Sequence, residues 1–451
     1  MDYFHNFNLG CFNLGLTWNI FSGLLSNAAY VLSNKGNLNR GIKMRRDGYK
    51  VFSQATLAHL TLKNRLVRSA TFESAMTKEG RVTGEMLNLY KNLAEGGVGM
   101  IITGSMTVVP EGKCHGKVFQ KETCIYDDVY VDEIAKIADV VHRSGSGCKI
   151  MAQLNHGGRQ VLYDNHLAEP VGPSDVPSPL LNKKARALTT EDVEYIIQCF
   201  ADAIVRVNKA GFDGVQLHSA HGYLLSSFLS PYTNRRSDQY GGSIRNRVNI
   251  IKEIVSTARK EVGNFPILVK MNCDDYVEGG INKDTFPELA KEVESLGVDA
   301  IEVSGGMWDC LVRTEKELGF FPMPIPEART RIHGADRQSY FLKYAENLNL
   351  TIPVILVGGH RNIEQLEEII RQGTVDFLGL CRPLISEPDL PNRWLEGRGT
   401  EKTDCVSCNS CLLTVKFNTL YCMRKQKRLR QKIVKNLVPH LWKINFNLNP
   451  A

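Results

Sequence analysis

Eight short runs of almost continuous apolar residues recur along this chain, and each is separated from the next by a longer stretch. Such runs are typical of β-strands that are buried on both faces, as in a parallel sheet covered by helices. The predicted strands are Asn64–Thr71, Val98–Val108, Lys149–His156, Gly214–His221, Pro266–Asn272, Ala300–Gly306, Pro353–Gly359 and Phe377–Pro383.

The stretches between these runs carry the spacing of amphipathic helices. The clearest is Glu191–Ala210, where apolar residues recur at helical intervals and Thr190 with two acidic residues marks the start. Similar patterns predict helices at Asn246–Val262, Phe286–Leu296 and Ile363–Arg371. Eight strands that alternate with helices favour an α/β fold, a (β/α)8 TIM barrel with N- and C-terminal extensions, over an open sheet.

The composition fits one large barrel with extensions. The chain has 451 residues, of which 43% are hydrophobic and 23% are charged. This balance is too apolar for a disordered chain and too charged for a protein with many membrane spans. We place an extension of unknown role at residues 1–48, the barrel at 49–400 and a cysteine-containing, basic tail at 401–451.

The net charge of +7 is concentrated at the two ends of the chain. Nine Lys or Arg residues and no acidic residue follow Asp404, and residues 1–46 carry five basic residues against Asp2 alone. The remainder is therefore mildly acidic, which argues against nucleic acid as a partner. A solvated tail is the favoured interpretation, and contact of the termini with an anionic membrane is left open, as is an oligomer.

Two further features bear on the compartment. Eight of the twelve cysteines are scattered, which indicates a reducing compartment and favours the cytoplasm over a disulfide framework. The stretch from Gly10 to Asn34 is uncharged, but polar residues interrupt it too often for a convincing membrane span. An N-terminal targeting segment is not excluded.

The ends of the predicted strands are rich in glycine and polar residues. In a (β/α)8 barrel the carboxyl ends of all strands meet at one rim, where active sites lie. Strand ends such as Thr103-Gly104-Ser105, Gln153-Leu-Asn-His156 and Gly358-Gly359-His360 would thus be neighbours. We therefore predict one large site at that rim.

The segment His218-Ser-Ala-His221-Gly-Tyr223 follows the fourth predicted strand. Two imidazoles that converge from one strand end can donate hydrogen bonds to a single oxygen and stabilise charge developing on a carbonyl. Tyr223 is a neutral acid at pH 7 and can deliver one proton. The alternatives are two structural histidines with a capping tyrosine, or a zinc site, which lacks an obvious third ligand nearby.

The segment from His218 to Pro231, continued by Asn234–Arg247, resembles the signature of the Old Yellow Enzyme, or NADH:flavin oxidoreductase, family. Leu62–Thr71, Ala152–Arg159 and Val357-Gly-Gly resemble further motifs of that family. The resemblance implies an FMN-binding (β/α)8 barrel that transfers hydride from NAD(P)H through flavin to the C=C bond of an α,β-unsaturated carbonyl compound. Small unsaturated carbonyl or enoyl compounds are the implied substrates.

The resemblance also implies a role for individual residues. Gln153 would bind the pyrimidine edge of the flavin, and Lys270 would face flavin N1 and O2, where many relatives have arginine. The implied phosphate site consists of Gly358, Gly359 and Arg382. The implied neighbours of the ring are Ser69, Ala70 and Thr71, and Gly104 completes the cofactor-binding set. His218, His221 and Tyr223 are the implied catalytic residues.

Cys405, Cys408, Cys411 and Cys422 form a cluster just beyond the barrel. Four thiolates are the right number for zinc or an iron–sulfur cluster, and some larger family members carry a [4Fe–4S] site near here. Their third cysteine usually comes one residue later than Cys411, and a further nucleotide-binding domain follows. We therefore favour free or remnant thiols over either metal, and predict no metal in the catalytic site.

No Gly-x-Gly-x-x-Gly motif follows any predicted strand, so a separate Rossmann site for the nucleotide is not expected. Reductant and substrate would then occupy the same pocket in turn. Two rival functions remain at this point: a flavin barrel that oxidises an amine or alcohol with another electron acceptor, and a flavin-binding interaction protein.

Overall fold

Eight parallel strands close into a barrel in the computed structural model of the chain. The structure describes residues 45–114, 121–161, 169–179, 184–322, 325–332, 334–415 and 419–426. The strands are β1 (Leu66–Arg68), β2 (Met100–Thr107), β3 (Lys149–Asn155), β4 (Gly214–Ser219), β5 (Ile267–Asn272), β6 (Ala300–Ser304), β7 (Val354–Val357) and β8 (Phe377–Leu380). Each pairs with the next, and β8 pairs with β1, so the sheet is closed.

Helices follow the strands and cover the outside of the barrel. They are α1 (Gly84–Glu95), α2 (Val131–Arg143), α3 (Thr190–Lys209), α4 (Asn249–Val262), α5 (Phe286–Glu294), α6 (Leu342–Ala345), α7 (Ile363–Gln372) and α8 (Leu390–Leu395). Their apolar faces pack on the sheet because these residues recur at helical spacing. Shorter helices occur at Leu224–Leu229, Ile244–Arg247, Glu315–Leu318, Arg382–Ser386 and Cys411–Thr414.

Local sequence signals fix the ends of several helices. The Thr189 hydroxyl accepts a hydrogen bond from the Asp192 N–H, and the Asp192 carboxylate accepts one from the Thr189 N–H, which forms a capping box at the start of α3. Gly373 ends α7 with φ of 76°, a left-handed conformation that favours glycine. The predicted (β/α)8 fold is thus confirmed.

A two-stranded hairpin lies beneath the barrel. Ala55–Leu57 pairs antiparallel with Leu60–Leu62, and the leucines of both strands pack on inward-facing residues of the barrel, including Met100 and Phe377. The hairpin thereby fills the amino-terminal end, which leaves the opposite rim for a site.

The predicted domain boundaries remain predictions. Most of the extension at residues 1–48, and the tail from residue 427 onward, lie outside the described residues. Within the described residues, no helix combines the length and hydropathy that a membrane span requires.

Candidate active site

The fourth strand brings His218, His221 and Tyr223 together at the carboxyl-end rim. His221 and Gly222 both have positive φ, 65° and 80°, and the turn they form directs the chain into the short helix Leu224–Leu229. The ring centroids of His218 and His221 lie 5.0 Å apart at an interplanar angle of 81°. The ring centroids of His218 and Tyr223 lie 4.9 Å apart. The three predicted catalytic residues are therefore neighbours.

Hydrogen bonds hold His221 in place and leave one nitrogen of His218 available. The backbone N–H of His221 donates to Asn272 Oδ1 at 3.0 Å, and its Nε2 lies 2.8 Å from Ser304 Oγ. Asn272 and Ser304 are the last residues of β5 and β6, so two neighbouring strands support this histidine. Nδ1 of His218 is buried and has no hydrogen-bond partner within the described structure. A buried polar atom of this kind is costly unless a ligand satisfies it.

Burial sets the protonation states of these groups. Burial, reinforced by the charge of Lys270, lowers the pKa of His218 well below its usual value. Burial and then the neighbouring His218 lower the pKa of His221 in the same way. Burial and then Cys114 raise the pKa of Tyr223 well above 10. At neutral pH the site thus presents uncharged imidazoles and a protonated phenol.

A chain of buried polar side chains crosses the barrel interior below this trio. Gln153 Nε2 donates to Gln216 Oε1 at 2.8 Å, and Gln216 Nε2 donates to Glu302 Oε2 at 2.7 Å. Glu302 Oε1 accepts from Ser69 Oγ at 2.5 Å and lies 3.3 Å from Lys270 Nζ. Side chains from five strands or strand ends thus meet in one network, which includes three of the predicted cofactor residues.

The remaining predicted ring neighbours lie beside the end of β1. Thr71 Oγ1 lies 3.0 Å from the carbonyl oxygen of Ser69 and 3.1 Å from Cys381 Sγ, while Ala70 is partly exposed. Gly104 directs its N–H at 2.8 Å to Glu73 Oε1, so this group is already engaged with a buried carboxylate. A Cβ on Gly104 would lie 2.1 Å from Glu73 Oε2, which explains the glycine.

Gly358 and Gly359 follow β7 with φ of 118° and 81°, conformations that favour glycine. A Cβ on either residue would come within 2.7 Å of an aromatic ring, that of Phe341 for Gly358 and that of Tyr340 for Gly359. Both positions therefore need glycine for conformation and for space. A backbone without side chains lets an anion approach the N–H groups closely.

Two buried arginines flank these glycines. Arg382 Nη1 donates to the Arg329 carbonyl at 2.8 Å and to Asn409 Oδ1 at 2.5 Å. Arg361 donates to Ser407 Oγ and to the His360 carbonyl. These acceptors are neutral, and burial followed by the nearby Arg382 lowers the pKa of Arg361 to about 10. Positive charge therefore accumulates here, as a phosphate site requires.

The residues present suit FMN on three counts. The network of Gln153 and Lys270 offers donors for the ring, the two glycines allow close approach of a phosphate, and the two arginines supply positive charge for it. The hydrogen-bond donors and positive charges at the rim thus match those that the ring and phosphate of FMN would need.

The four clustered cysteines line one small cavity together with Arg382 and Arg424. Its volume of about 20 Å³ is that of about one water molecule. Among the described residues, no three His, Cys, Asp or Glu side chains are placed to hold one metal ion, either here or around His218 and His221.

Sequence reasoning missed Gln216, Glu302 and Arg361. The first two are polar residues inside strand runs, and inward-facing positions of a barrel are usually apolar. Such interruptions of the apolar pattern are the signal that could have revealed them. Arg361 directly follows the Gly358–His360 segment, so the sequence could also have predicted that it lies near the expected phosphate site.

Comparison with known proteins agrees with the fold. The family model of the NADH:flavin oxidoreductase / NADH oxidase family matches residues 50–401. The NADH oxidase of Thermoanaerobacter brockii is 35% identical over 364 residues, 80% of this chain and 52% of that protein. The NADPH dehydrogenase of Geobacillus sp. (strain WCH70) is 32% identical over 353 residues, 78% of this chain and 95% of that protein. The chain thus spans about half the length of the first relative and almost all of the second.

Solved structures show the same architecture. A 2-naphthoyl-CoA reductase in complex with 2-naphthoyl-CoA superposes with a TM-score of 0.73 at 25% identity, covering 83% of this chain and 56% of that one. An Old Yellow Enzyme homologue from Zymomonas mobilis superposes with a TM-score of 0.65 at 22% identity, covering 82% and 99%. With its closed barrel and a family match over most of its length, the chain belongs to the NADH:flavin oxidoreductase / NADH oxidase family, whose members are FMN-dependent oxidoreductases that use NAD(P)H.

Proposed function

We propose that this protein reduces the C=C bond of small α,β-unsaturated carbonyl compounds at the expense of NAD(P)H, with FMN held at the barrel rim. The observation that carries the proposal is the convergence of two uncharged imidazoles and one protonated phenol above a buried lysine. That combination suits a substrate that gains negative charge on an oxygen and needs one proton at a carbon.

FMN would be held by two groups of residues. Gln153 and Lys270 would contact the ring, while Gly358, Gly359 and Arg382 would contact the phosphate, with Arg361 adding positive charge. The bound flavin supplies the hydride chemistry, because it accepts a hydride from a nicotinamide and delivers it to an electron-poor alkene.

His218 and His221 bind the carbonyl oxygen of the substrate and polarise the conjugated double bond. Neutral imidazoles suit this role because each can donate an N–H to the carbonyl oxygen. Neither imidazole then adds a positive charge that the uncharged substrate would leave unpaired. Ser304 and Asn272 fix the orientation of His221, so the donor is in place before the substrate enters.

Tyr223 donates its phenolic proton to the α-carbon of the substrate. Its raised pKa keeps the proton on the phenol over the whole physiological range. Its ring contacts His218, which supports a proton donor close to the carbonyl oxygen that the histidines would bind. Solvent returns the proton afterwards, so the donor is ready for the next substrate.

The two half-reactions of a Tyr223→Phe variant test this assignment. Stopped-flow absorbance should show nucleotide-dependent bleaching of the flavin at the wild-type rate, because no proton from Tyr223 is needed. Reoxidation by an enone should slow by about 10²-fold or more, the usual contribution of a positioned acid.

Tyr240→Phe is the matched control, since it removes another buried tyrosine hydroxyl, which donates to Glu253 of α4. Both of its half-reactions should match wild type. Equal enone rates for Tyr223→Phe and wild type would remove Tyr223 from its role. Turnover of amines without turnover of any enone would replace the proposed reaction by amine oxidation.

A further inference from the structure

We propose that Glu302 sets the reduction potential of the bound flavin by acting as the buried counter-ion of Lys270. The inference rests on the proposed flavin site, and it assigns a positioning role to a residue that touches the lysine and not the substrate. The Glu302 carboxylate and Lys270 would together present a neutral ion pair to the flavin, whereas the lysine alone would present a full cation.

The two side chains are neighbours by the register of the barrel. Lys270 on β5 pairs directly with Glu302 on β6. Lys270 Nζ lies 3.3 Å from Glu302 Oε1, and both groups contact the Ser69 hydroxyl, which receives a hydrogen bond from Lys270 and donates one to Glu302. The geometry places one carboxylate within direct electrostatic reach of the lysine.

Burial makes this pair strong and its charges hard to screen. The Glu302 side chain is fully buried and that of Lys270 is 5% exposed. Water and salt therefore weaken the interaction less than they would at the surface. Gln216 Nε2 donates to the second carboxylate oxygen, so both oxygens of Glu302 accept hydrogen bonds.

The sign of the effect follows from the charge of the cofactor. Reduced flavin carries negative charge near N1 and O2, so a cation that faces those atoms would favour the reduced form and raise the potential. A carboxylate beside that cation opposes the effect. Glu302 should therefore hold the potential lower than an unpaired Lys270 would.

Four proteins form a charge cycle that tests the proposal: wild type, Glu302→Gln, Lys270→Gln and the double variant. The midpoint potential of each FMN-loaded protein is measured by anaerobic spectroelectrochemical titration. Glu302→Gln should shift to more positive potential than wild type, and Lys270→Gln to more negative potential. The double variant, which lacks both charges, should return close to wild type.

An independent readout is the affinity for the cofactor in its two redox states. By linkage, the shift in midpoint potential, expressed as a free energy, must match the change in the ratio of the dissociation constants of oxidised and reduced FMN. We expect Glu302→Gln to favour reduced over oxidised FMN by about tenfold or more relative to wild type. Glu302→Asp, which keeps the charge, should restore a potential near wild type.

Glu367→Gln is the matched control for loss of a buried carboxylate. Glu367 is 6% exposed and pairs with Arg371 at the outer helix α7, away from the barrel interior. Its potential should equal that of wild type. If Glu302→Gln does not fold, the other three proteins of the cycle still decide, because the double variant must then lie clearly above Lys270→Gln.

Two results would overturn the inference. One is a Glu302→Gln potential equal to or below that of wild type, and the other is a double variant as low as Lys270→Gln. Failure of the wild-type protein to bind FMN would be a different outcome, because it would refute the proposed function itself.

Discussion

The backbone conformation of Gly359 affects both the stability of the protein and the proposed phosphate site. Its φ of 81° disfavours any side chain, and an added Cβ would lie 2.7 Å from the Tyr340 ring. Gly359→Ala should therefore cost about 1–3 kcal/mol of stability and also displace the phosphate site. We expect at least about a tenfold loss of FMN affinity in a fluorescence titration.

Gly373 provides the control for Gly359. It also has a positive φ, 76°, but a Cβ there would meet no atom within 4 Å. Gly373→Ala should lose about 1 kcal/mol of stability in a urea titration and keep wild-type FMN affinity. Equal FMN affinity in the two variants would show that Gly359 is needed for conformation alone.

Single residues could be predicted from sequence where a motif singled them out. His218, His221 and Tyr223 were placed together because their spacing follows one strand end, and the structure makes them neighbours. Glu302 and Gln216 were missed because their partners, Lys270 and Gln153, lie far away in sequence. The parallel register of neighbouring strands brings each pair together, and the apolar pattern of a single strand does not reveal that register.

At the scale of elements, the segment that carries the cysteines is hydrogen-bonded to the proposed phosphate site. Asn409 accepts a hydrogen bond from Arg382 and donates one from Nδ2 to the Ala328 carbonyl at 2.8 Å. Asn409→Ala removes both bonds and frees Arg382 to reorient. We expect FMN affinity to fall by about tenfold or more, the worth of a hydrogen bond to a charged group.

The exposed Asn347 at the outer surface is the control for Asn409, and Asn347→Ala should leave FMN affinity unchanged. Isothermal titration of the apoproteins with FMN compares the three proteins directly. Wild-type affinity in Asn409→Ala would separate the cysteine segment from the cofactor site.

The main elements could be predicted because buried strands and amphipathic helices have distinct periods. All eight strands were predicted, although β1 is only Leu66–Arg68 where Asn64–Thr71 was expected. The chain beyond its ends bends into loops that the apolar pattern does not reveal. The expected helix Asn246–Val262 is two helices that meet at Val248, and the hairpin beneath the barrel was not predicted, since its strands have three residues each.

For the whole molecule, buried histidines should make stability sensitive to acid. Burial lowers the pKa of His156 to about 4, below its ordinary value of 6.5. Between these values the unfolded chain binds more protons than the folded one, so stability is full above about pH 6.5 and falls as the pH drops towards 4. His156 alone should remove about 2 kcal/mol between pH 7 and pH 5.

Urea unfolding at the two pH values measures this loss. His156→Asn cannot take up the proton, so its stability should fall less than that of wild type by about the same 2 kcal/mol. Comparing the loss of stability between the two pH values cancels the contribution of every other titrating group that the two proteins share. Identical losses in wild type and variant would exclude His156 as an acid-sensitive group.

The proposed chemistry requires one flat cofactor at the rim where His218, His221, Gln153 and Lys270 meet. The most direct test is the absorbance of the purified full chain loaded with FMN, followed anaerobically during addition of NADH or NADPH and then of an enone. We predict binding of FMN, bleaching by at least one nucleotide and recovery of the oxidised spectrum with the enone. A chain that refuses FMN, or a bleached flavin that no enone reoxidises, would contradict it.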